Sequence, residues 1–166
     1  MITKDTVRER FGDIWPHHNK AFNELLVLCR QAFGGDLDRM IILSIIGERS
    51  LPSERGSGIS YDQFLAGRRG PGSPRPINIQ SISECTGIPR ETVRRKVAQL
   101  IESRWVGRDD AGLLFVLPQA SRDLKPITEG TLQYLRSVGE ILLEVAFDAP
   151  EPPGPTSEHP RPPRTG

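Results

Sequence analysis

Apolar residues recur at helical spacing along the first third of the chain. Over residues 16–33 they return every three or four positions, which predicts an amphipathic helix that ends at Gly34 and Gly35. Asp36 or Asp38 can then cap a second helix. The apolar residues of this second helix are Met40, Ile41, Leu43, Ile45 and Ile46. They cover most sides of the helix, so we expect it at the centre of the fold.

Two other segments lack the apolar residues that a core needs. Residues 50–76 are rich in Gly, Pro, Ser and Arg, and we expect a long mobile loop there with one short helical turn over residues 61–66. Residues 149–166 include seven prolines and no strongly apolar residue, so we expect a disordered tail, to which we assign no function. Residues 1–148 are therefore predicted to form one domain.

The middle of the chain predicts two helices joined by a turn. Residues 77–80 alternate like a short strand. Ser81 and Glu84 then have the spacing of a capping box, which opens a helix that Gly87 ends. Pro89 suits the first turn of the next helix, because its fixed φ fits there and its missing N–H would have had no partner.

The second of these two helices has an apolar and a polar face. Its inward residues are Val93, Val97, Leu100 and Ile101. Its outward residues are Glu91, Arg95, Gln99 and Glu102, with Thr92 and Arg94 on the flanks. The polar face is typical of a helix that meets either solvent or a charged partner.

A hairpin and a long helix complete the pattern. Residues 105–108 and 113–117 are strand-like runs joined by a turn sequence. The last helix opens at Pro126 or Thr128 and reaches about Phe147. Its apolar stripe consists of Leu132, Leu135, Val138, Leu142 and Val145. This stripe needs a partner helix, which comes either from a second copy of the chain or from the same domain.

Composition excludes several classes of protein. The 36% apolar fraction supports a real core. The longest apolar runs, such as residues 113–117, fall far short of the ~18 residues that span a bilayer, and residues 1–13 contain no secretory leader, so we expect a cytoplasmic protein without a membrane partner. Two cysteines cannot build a disulfide framework, and we expect Cys29 and Cys85 to be buried free thiols.

Charge is unevenly distributed along the chain. The net charge is only +1, but residues 68–108 contain nine basic and three acidic residues, whereas the rest of the chain contains 13 basic and 18 acidic residues. A basic centre in an acidic frame is expected of a protein with one surface that faces a polyanion, although a solvated helix face would give the same asymmetry.

The central block resembles the winged helix-turn-helix of bacterial transcription regulators. Residues 81–97, residues 100–106 and the hairpin carry this likeness, since a small residue, the turn Gly87, the Thr92-Val93 pair and the closing Trp105-Val106 stand at the family's spacing. The flanks are similar to those of MarR-type dimeric regulators, including the segment 126–130 that opens the last helix. The resemblance implies a mainly α-helical fold with a small β-hairpin wing and flanking N- and C-terminal helices.

The resemblance also implies a function. We expect sequence-specific binding of double-stranded DNA and regulation of transcription, through a recognition helix at about residues 89–104 and a wing at residues 105–118. A homodimer would bind a near-palindromic operator with half-sites about one helical turn apart. The alternative is a winged-helix module that contacts protein without reading DNA. Neither enzymatic activity nor a cofactor is expected.

Three features depart from the family's pattern. The loop at residues 50–76 is longer than usual, and Arg104 stands where a glycine commonly closes the recognition helix. Asp109 and Asp110 place negative charge at the tip of the wing, where a contact to DNA would favour cations.

The predicted DNA-binding residues fall into two groups. The residues expected to reach base edges are Arg90, Glu91, Thr92, Arg94 and Arg95. Arg95 is our first choice, because it is outward and early in the helix. Lys96, Arg104 and Arg108 are expected to contact phosphates. Arg68, Arg69 and Arg75 form either a second basic arm for a minor groove or a solubilising loop.

Other chemistry has little support in the sequence. His17 and His18 point about 100° apart on a helix, which makes them a poor pair of metal ligands, so we predict no metal site. Neither a dinucleotide fingerprint nor a phosphate loop is present. Trp15, Phe22 and Trp105 either line a pocket for a small effector of unknown identity or belong to the core.

Overall fold

The computed structural model describes residues 2–50, 58, 60–66 and 75–147. Over these residues the protein is mainly α-helical, with one small antiparallel hairpin. The elements are α1 (Lys4–Glu9), α2 (Phe11–Ala32), α3 (Leu37–Ser50), α4 (Tyr61–Leu65), α5 (Ile79–Thr86), α6 (Arg90–Glu102), β1 (Val106–Arg108), β2 (Leu114–Val116), α7 (Pro118–Asp123) and α8 (Lys125–Phe147). The predicted tail, and Arg68 and Arg69 of the predicted basic arm, lie outside the described residues.

The first long helix starts earlier than the sequence pattern predicts. α2 begins at Phe11, so the prediction of a start at Pro16 is wrong, and this proline lies inside the helix. A proline costs a helix one backbone hydrogen bond, which the packing of α2 outweighs here. The end of α2 is as predicted, because Gly34 and Gly35 both have positive φ and turn the chain away.

α3 lies at the centre of the fold, as predicted. A side-chain oxygen of Asp36 accepts a hydrogen bond from the N–H of Arg39 (3.0 Å), which makes Asp36 the N-cap. Ile42 and Ile46 are completely buried. At the end of the helix the buried Ser50 hydroxyl donates to Ile46 O (2.8 Å) and accepts from the N–H of Val116 (3.3 Å), which ties α3 to β2.

The start of α5 corrects two predictions. Asn78 is the N-cap, and its side-chain oxygen accepts from the N–H of Ser81 (2.9 Å), so the capping box at Ser81 is wrong. The predicted strand over residues 77–80 reduces to Ile77, which forms a single antiparallel bridge with Leu114. α5 begins at Ile79 because Asn78 accepts a hydrogen bond from an N–H of the first helical turn, three residues earlier than a cap at Ser81 could.

The hairpin and its surroundings are largely as expected. β1 and β2 pair antiparallel with Gly107 opposite Phe115, and Gly112 takes the positive φ of 79° that the connecting turn requires. α4 is the predicted helical turn, and the hydroxyl of its Tyr61 donates to the Glu129 carboxylate. α7 was not predicted, although Pro118 at its first turn is a common start signal.

The C-terminal helix packs against α2 of the same chain. α8 begins at Lys125, slightly before the predicted start, and ends at Phe147 as predicted. Ile14 of α2 packs with Ile141 and Val145 of α8 in a second small core. α2 therefore covers part of the apolar stripe, including Val145, whereas Leu132 and Leu135 remain exposed. Within the described residues no helix combines the length and the apolar character needed to cross a membrane.

Candidate functional site

One side of α6 is anchored in the core and the other faces solvent. Val93, Val97 and Leu100 are completely buried against the core built around α3. The exposed residues of α6 are Arg90, Glu91, Arg94, Arg95, Ala98, Ile101 and Glu102. Two of the predicted positions are wrong: Gln99 is half-buried instead of outward, and Ile101 is 37% exposed instead of inward.

Side chains of α5 fix the angle between α5 and α6. The Thr86 hydroxyl donates to Ile82 O (2.6 Å) and accepts from the N–H of Ile88 (3.2 Å), and the Ser83 hydroxyl donates to Ile88 O (2.7 Å). Gly87 takes a φ of 72°, where a side chain is disfavoured. These bonds hold the turn, so α6 leaves it in a fixed direction.

Glu91 and Arg94 form a close ion pair on the exposed face of α6. The Arg94 Nε donates to both carboxylate oxygens of Glu91 (3.1 and 2.9 Å), and Nη2 donates to Oε1 (2.6 Å). The hydrogen bond from Arg94 lowers the pKa of Glu91, and the same bond raises the pKa of Arg94. Both side chains are well exposed, so the pair adds little to stability but orients the guanidinium.

The other predicted base-contacting residues lie on the same face. Arg90 and Arg95 are exposed, and neither has a side-chain hydrogen bond or ion pair with another part of the described chain. Thr92 is half-buried at the edge of the face. The structure therefore brings the predicted residues of the first two turns together, with two unpaired guanidinium groups beside the Glu91–Arg94 pair.

Lys96 occupies a different place from the one expected of a phosphate contact. Its ammonium group pairs with the Asp36 carboxylate, and only 16% of the side chain is exposed. Burial raises the pKa of Asp36, but the hydrogen bonds from Lys96 and from the N–H of Arg39, together with their charges, lower it below its ordinary value. Lys96 thus joins α6 to the N-cap of α3 and has little capacity for a further anion.

Arg104 adopts the left-handed conformation that a glycine would take at this position. Its φ is 57°, and the N–H groups of Arg104 and Trp105 donate to the carbonyls of Ile101 and Leu100, both at 2.9 Å. These two bonds form a Schellman motif, so the turn that the sequence put in question is intact. The Arg104 side chain is exposed, and so is Arg108 in β1.

The tip of the hairpin is acidic, as the sequence indicates. Asp109 and Asp110 are exposed in the turn of the hairpin. A side-chain oxygen of Asp109 accepts from the N–H of Leu113 (2.8 Å), which stabilises the turn. Asp109 therefore stabilises the turn, and the negative charge of Asp109 and Asp110 repels phosphates.

Three residues outside α6 support this helix and the Trp105 that follows it, and the sequence singled out only one of them, Asp36, as a cap of α3. The guanidinium of Arg39 lies over the rings of Phe33 and Trp105, at 5.7 and 5.9 Å from their centres. The Trp105 Nε1 donates to a carboxylate oxygen of Asp123 in α7 (2.8 Å). Asp36 is the third, through Lys96. The contacts of Arg39 and Asp123 with Trp105, and of Asp36 with Lys96, join residues at least 18 positions apart, so no local signal could have found them.

A cavity of about 470 Å³ lies between α2, α3, α7 and the start of α8. Its lining is mostly apolar and includes Phe22, Met40, Leu43, Phe64 and Leu124. Of the three aromatic residues considered for an effector pocket, Phe22 lines this cavity, whereas Trp15 and Trp105 do not. Trp105 packs against Phe33 in the core, with ring centres 5.6 Å apart.

Two histidines of the described chain, His17 and His18, each lie beside one oxygen atom of another residue. His17 Nδ1 lies 3.0 Å from Asp13 O, and His18 Nδ1 lies 3.2 Å from the Tyr134 hydroxyl. No group of three or more metal-ligating side chains occurs among the residues described. Both cysteines are free, but the expectation that both are buried is wrong, because Cys85 is exposed and Cys29 only half-buried.

Comparison of the chain with protein-family models, curated proteins and solved structures found no match.

Proposed function

We propose that the protein is a winged-helix regulator of transcription that binds double-stranded DNA in a sequence-specific manner. The observation that carries this proposal is the exposed cationic face of α6, where Arg90, Arg94 and Arg95 stand on a helix anchored by buried Val93, Val97 and Leu100. A major groove admits one α-helix, and arginine can bind guanine O6 and N7 with two parallel hydrogen bonds. A rigid helix presents such donors at low entropic cost.

The order of elements also supports a winged helix. α5, the short turn and α6 are followed directly by the hairpin, and Ile77 adds a third strand position beside Leu114. Arg104 is exposed in the turn between α6 and β1, and Arg108 is exposed at the far end of β1, where both can contact phosphates. The acidic tip makes the remainder of the wing a poor phosphate ligand, so α6 supplies most of the contact.

A homodimer is part of this proposal. In the described chain, nine of the twelve exposed large apolar side chains belong to α2 or α8, which concentrates them on the two helices that flank the cationic unit. We call these residues the α2/α8 apolar surface: Phe11, Trp15, Phe22, Leu26, Val27, Leu132, Leu135, Leu143 and Phe147. A second copy would cover apolar area that is costly to leave in water. Two α6 helices would then meet successive major grooves of a near-palindrome.

A small apolar effector has a place in this arrangement. The cavity beside Phe22 joins α2 and α8 to the central helix α3, so a ligand there can shift the spacing between the two copies of α6. Such a ligand regulates duplex binding only if its affinity differs between the two arrangements.

Selection of bound duplexes from a random pool tests the proposed function. We expect enrichment of a near-palindrome with half-sites about one helical turn apart. Replacing Arg95 by alanine should cost roughly 1 to 3 kcal/mol on the selected duplex and much less on random duplex. The matched control is Arg8→Ala, which removes another exposed arginine, far from α6 in sequence, and should change neither affinity. Equal loss on both duplexes would assign Arg95 to a phosphate, and failure to enrich any sequence would contradict the function.

A further inference from the structure

Glu91 accepts hydrogen bonds from part of the Arg94 guanidinium and leaves the remaining N–H donors free for another ligand. A guanidinium has five N–H donors in a planar fork. Glu91 takes the Nε–H and one Nη2–H of Arg94. Both Nη1–H groups and the second Nη2–H remain, and they point away along the outer edge of the fork. That edge holds the two parallel donors that guanine O6 and N7 accept.

The position of the pair on the helix suits a base contact. Glu91 lies in the first turn of α6 and Arg94 in the second, the part of such a helix that enters a groove most deeply. The next residue on the same side, Ala98, is exposed and small, so it leaves room for the duplex to approach. Arg95 is exposed and forms no ion pair within 4.0 Å in the described chain, although its charge contributes, after that of Arg94, to the lowered pKa of Glu91.

We infer that Glu91 is a specificity-determining positioning residue, which holds Arg94 in the orientation that binds one guanine of the recognition sequence. This inference rests on the proposed function and assigns to Glu91 a role different from accepting a hydrogen bond from cytosine. Pre-ordering reduces the entropy that Arg94 loses on binding the correct base. The carboxylate also repels phosphates, so it weakens binding to duplexes that offer no guanine at that place.

The test uses the full chain and a duplex that the wild-type protein selects from a random pool. Each guanine of that duplex is replaced in turn by 7-deazaguanine, which lacks the N7 acceptor. We expect one position per half-site that depends on Arg94, besides any that depends on Arg95, at which the wild-type affinity falls about tenfold, the factor of a single base contact. With Arg94→Ala the same replacement should have no further effect, whereas with Arg95→Ala the tenfold loss at that position should persist.

Glu91→Gln separates positioning from simple charge. It should weaken binding to the selected duplex several-fold, reduce the 7-deazaguanine effect, and strengthen binding to random duplex. Glu102→Gln is the matched control: it removes an exposed negative charge near the other end of α6 and should strengthen binding to both duplexes equally. Thermal unfolding of each variant checks that the fold is retained.

The outcomes distinguish the inference from the proposed function. If Glu91→Gln strengthens binding to both duplexes to the same extent, as the control does, Glu91 acts by charge alone and the inference is overturned. The same follows if the 7-deazaguanine effect disappears with Arg95→Ala instead of Arg94→Ala. If the wild-type protein selects no duplex at low salt, the proposed function fails first and the inference fails with it.

Discussion

At the scale of single residues, Arg104 ends α6 with a left-handed backbone conformation and also exposes a positive charge. Its φ of 57° places it in the left-handed region, which costs an ordinary residue roughly 1 to 2 kcal/mol relative to glycine. The Schellman bonds at the end of α6 hold it there. A residue that is unfavourable for the turn is therefore present at a place where its charge can meet a phosphate.

Arg104→Gly should separate these two properties. We expect the free energy of unfolding to rise by about 1 kcal/mol, because glycine adopts this φ without strain. Duplex binding should weaken at the same time, because a phosphate contact is lost. Denaturant unfolding and fluorescence anisotropy with a labelled duplex measure the two effects.

Arg104→Ala is the control for this prediction. Alanine removes the charge but keeps the strained conformation, so binding should weaken as it does with glycine while stability does not increase. A variant Arg104→Gly that binds duplex as tightly as the wild-type protein would remove Arg104 from the proposed interface.

Some contacts of the candidate site can be predicted from residues close in sequence, whereas others depend on residues far apart in sequence. The spacing of Glu91 and Arg94, three residues apart on a helix, makes their ion pair predictable from the sequence. The pair between Lys96 and Asp36 joins residues 60 positions apart, so only the packing of α6 on the start of α3 reveals it. For this reason the sequence assigned Lys96 to DNA, whereas the structure pairs it inside the protein.

At the scale of elements, α2 and α8 approach each other closely at Gly130. A Cβ built on Gly130 would clash with Leu28 Cδ1, whereas one on Gly139, later in the same helix, would meet nothing within 4 Å. The two glycines therefore form a matched pair, one inside the helix contact and one in open space.

Alanine at these two positions should have opposite effects. Gly139→Ala should raise the free energy of unfolding by roughly 0.5 to 1 kcal/mol through helix propensity. The free energy of unfolding of Gly130→Ala should be about 1 to 3 kcal/mol lower than that of Gly139→Ala, because Leu28 must move out of a packed site. Denaturant unfolding of both variants at equal protein concentration provides the comparison. An equal gain at both positions would mean that α8 does not pack on α2 as described.

The sequence pattern located most elements, but it placed the starts of α2 and α5 too late. Periodicity predicted α2, α3, α6, the hairpin and α8, since each buries one apolar face. The beginning of α2 was placed too late because Pro16 is a common start signal, and packing overrode it. The start of α5 was also placed too late, because the sequence offered two capping residues, Asn78 and Ser81, and the earlier one caps the helix.

At the scale of the whole molecule, most exposed large apolar side chains of the described residues lie on α2 and α8, whereas the arginine-rich face proposed to bind DNA lies on α6. The α2/α8 apolar surface suits a second copy of the chain, whereas α6 suits a polyanion. Rings continue from one helix to the other, as Phe22 and Tyr134 lie 6.2 Å apart. This separation allows one molecule to form a dimer and to keep α6 accessible.

Leu135→Glu should break the proposed dimer. Leu135 is 58% exposed on α8, and a buried carboxylate at an interface is unfavourable unless it is paired. We expect the wild-type protein to sediment at about twice the chain mass of 18.5 kDa and the variant to sediment as a monomer. Leu37→Glu, at a leucine of α3 that is also 58% exposed, is the control and should remain dimeric. A monomeric wild-type protein would contradict the dimer.

The salt dependence of duplex binding tests the role of α6 most directly. The affinity of the wild-type protein for the selected duplex is measured over a range of salt concentrations. We expect its logarithm to fall linearly with the logarithm of salt, with a slope of about −0.9 for each phosphate neutralised, because bound cations release counterions. A flat response, or no binding to any duplex at low salt, would contradict DNA binding by α6 and favour a module that contacts protein.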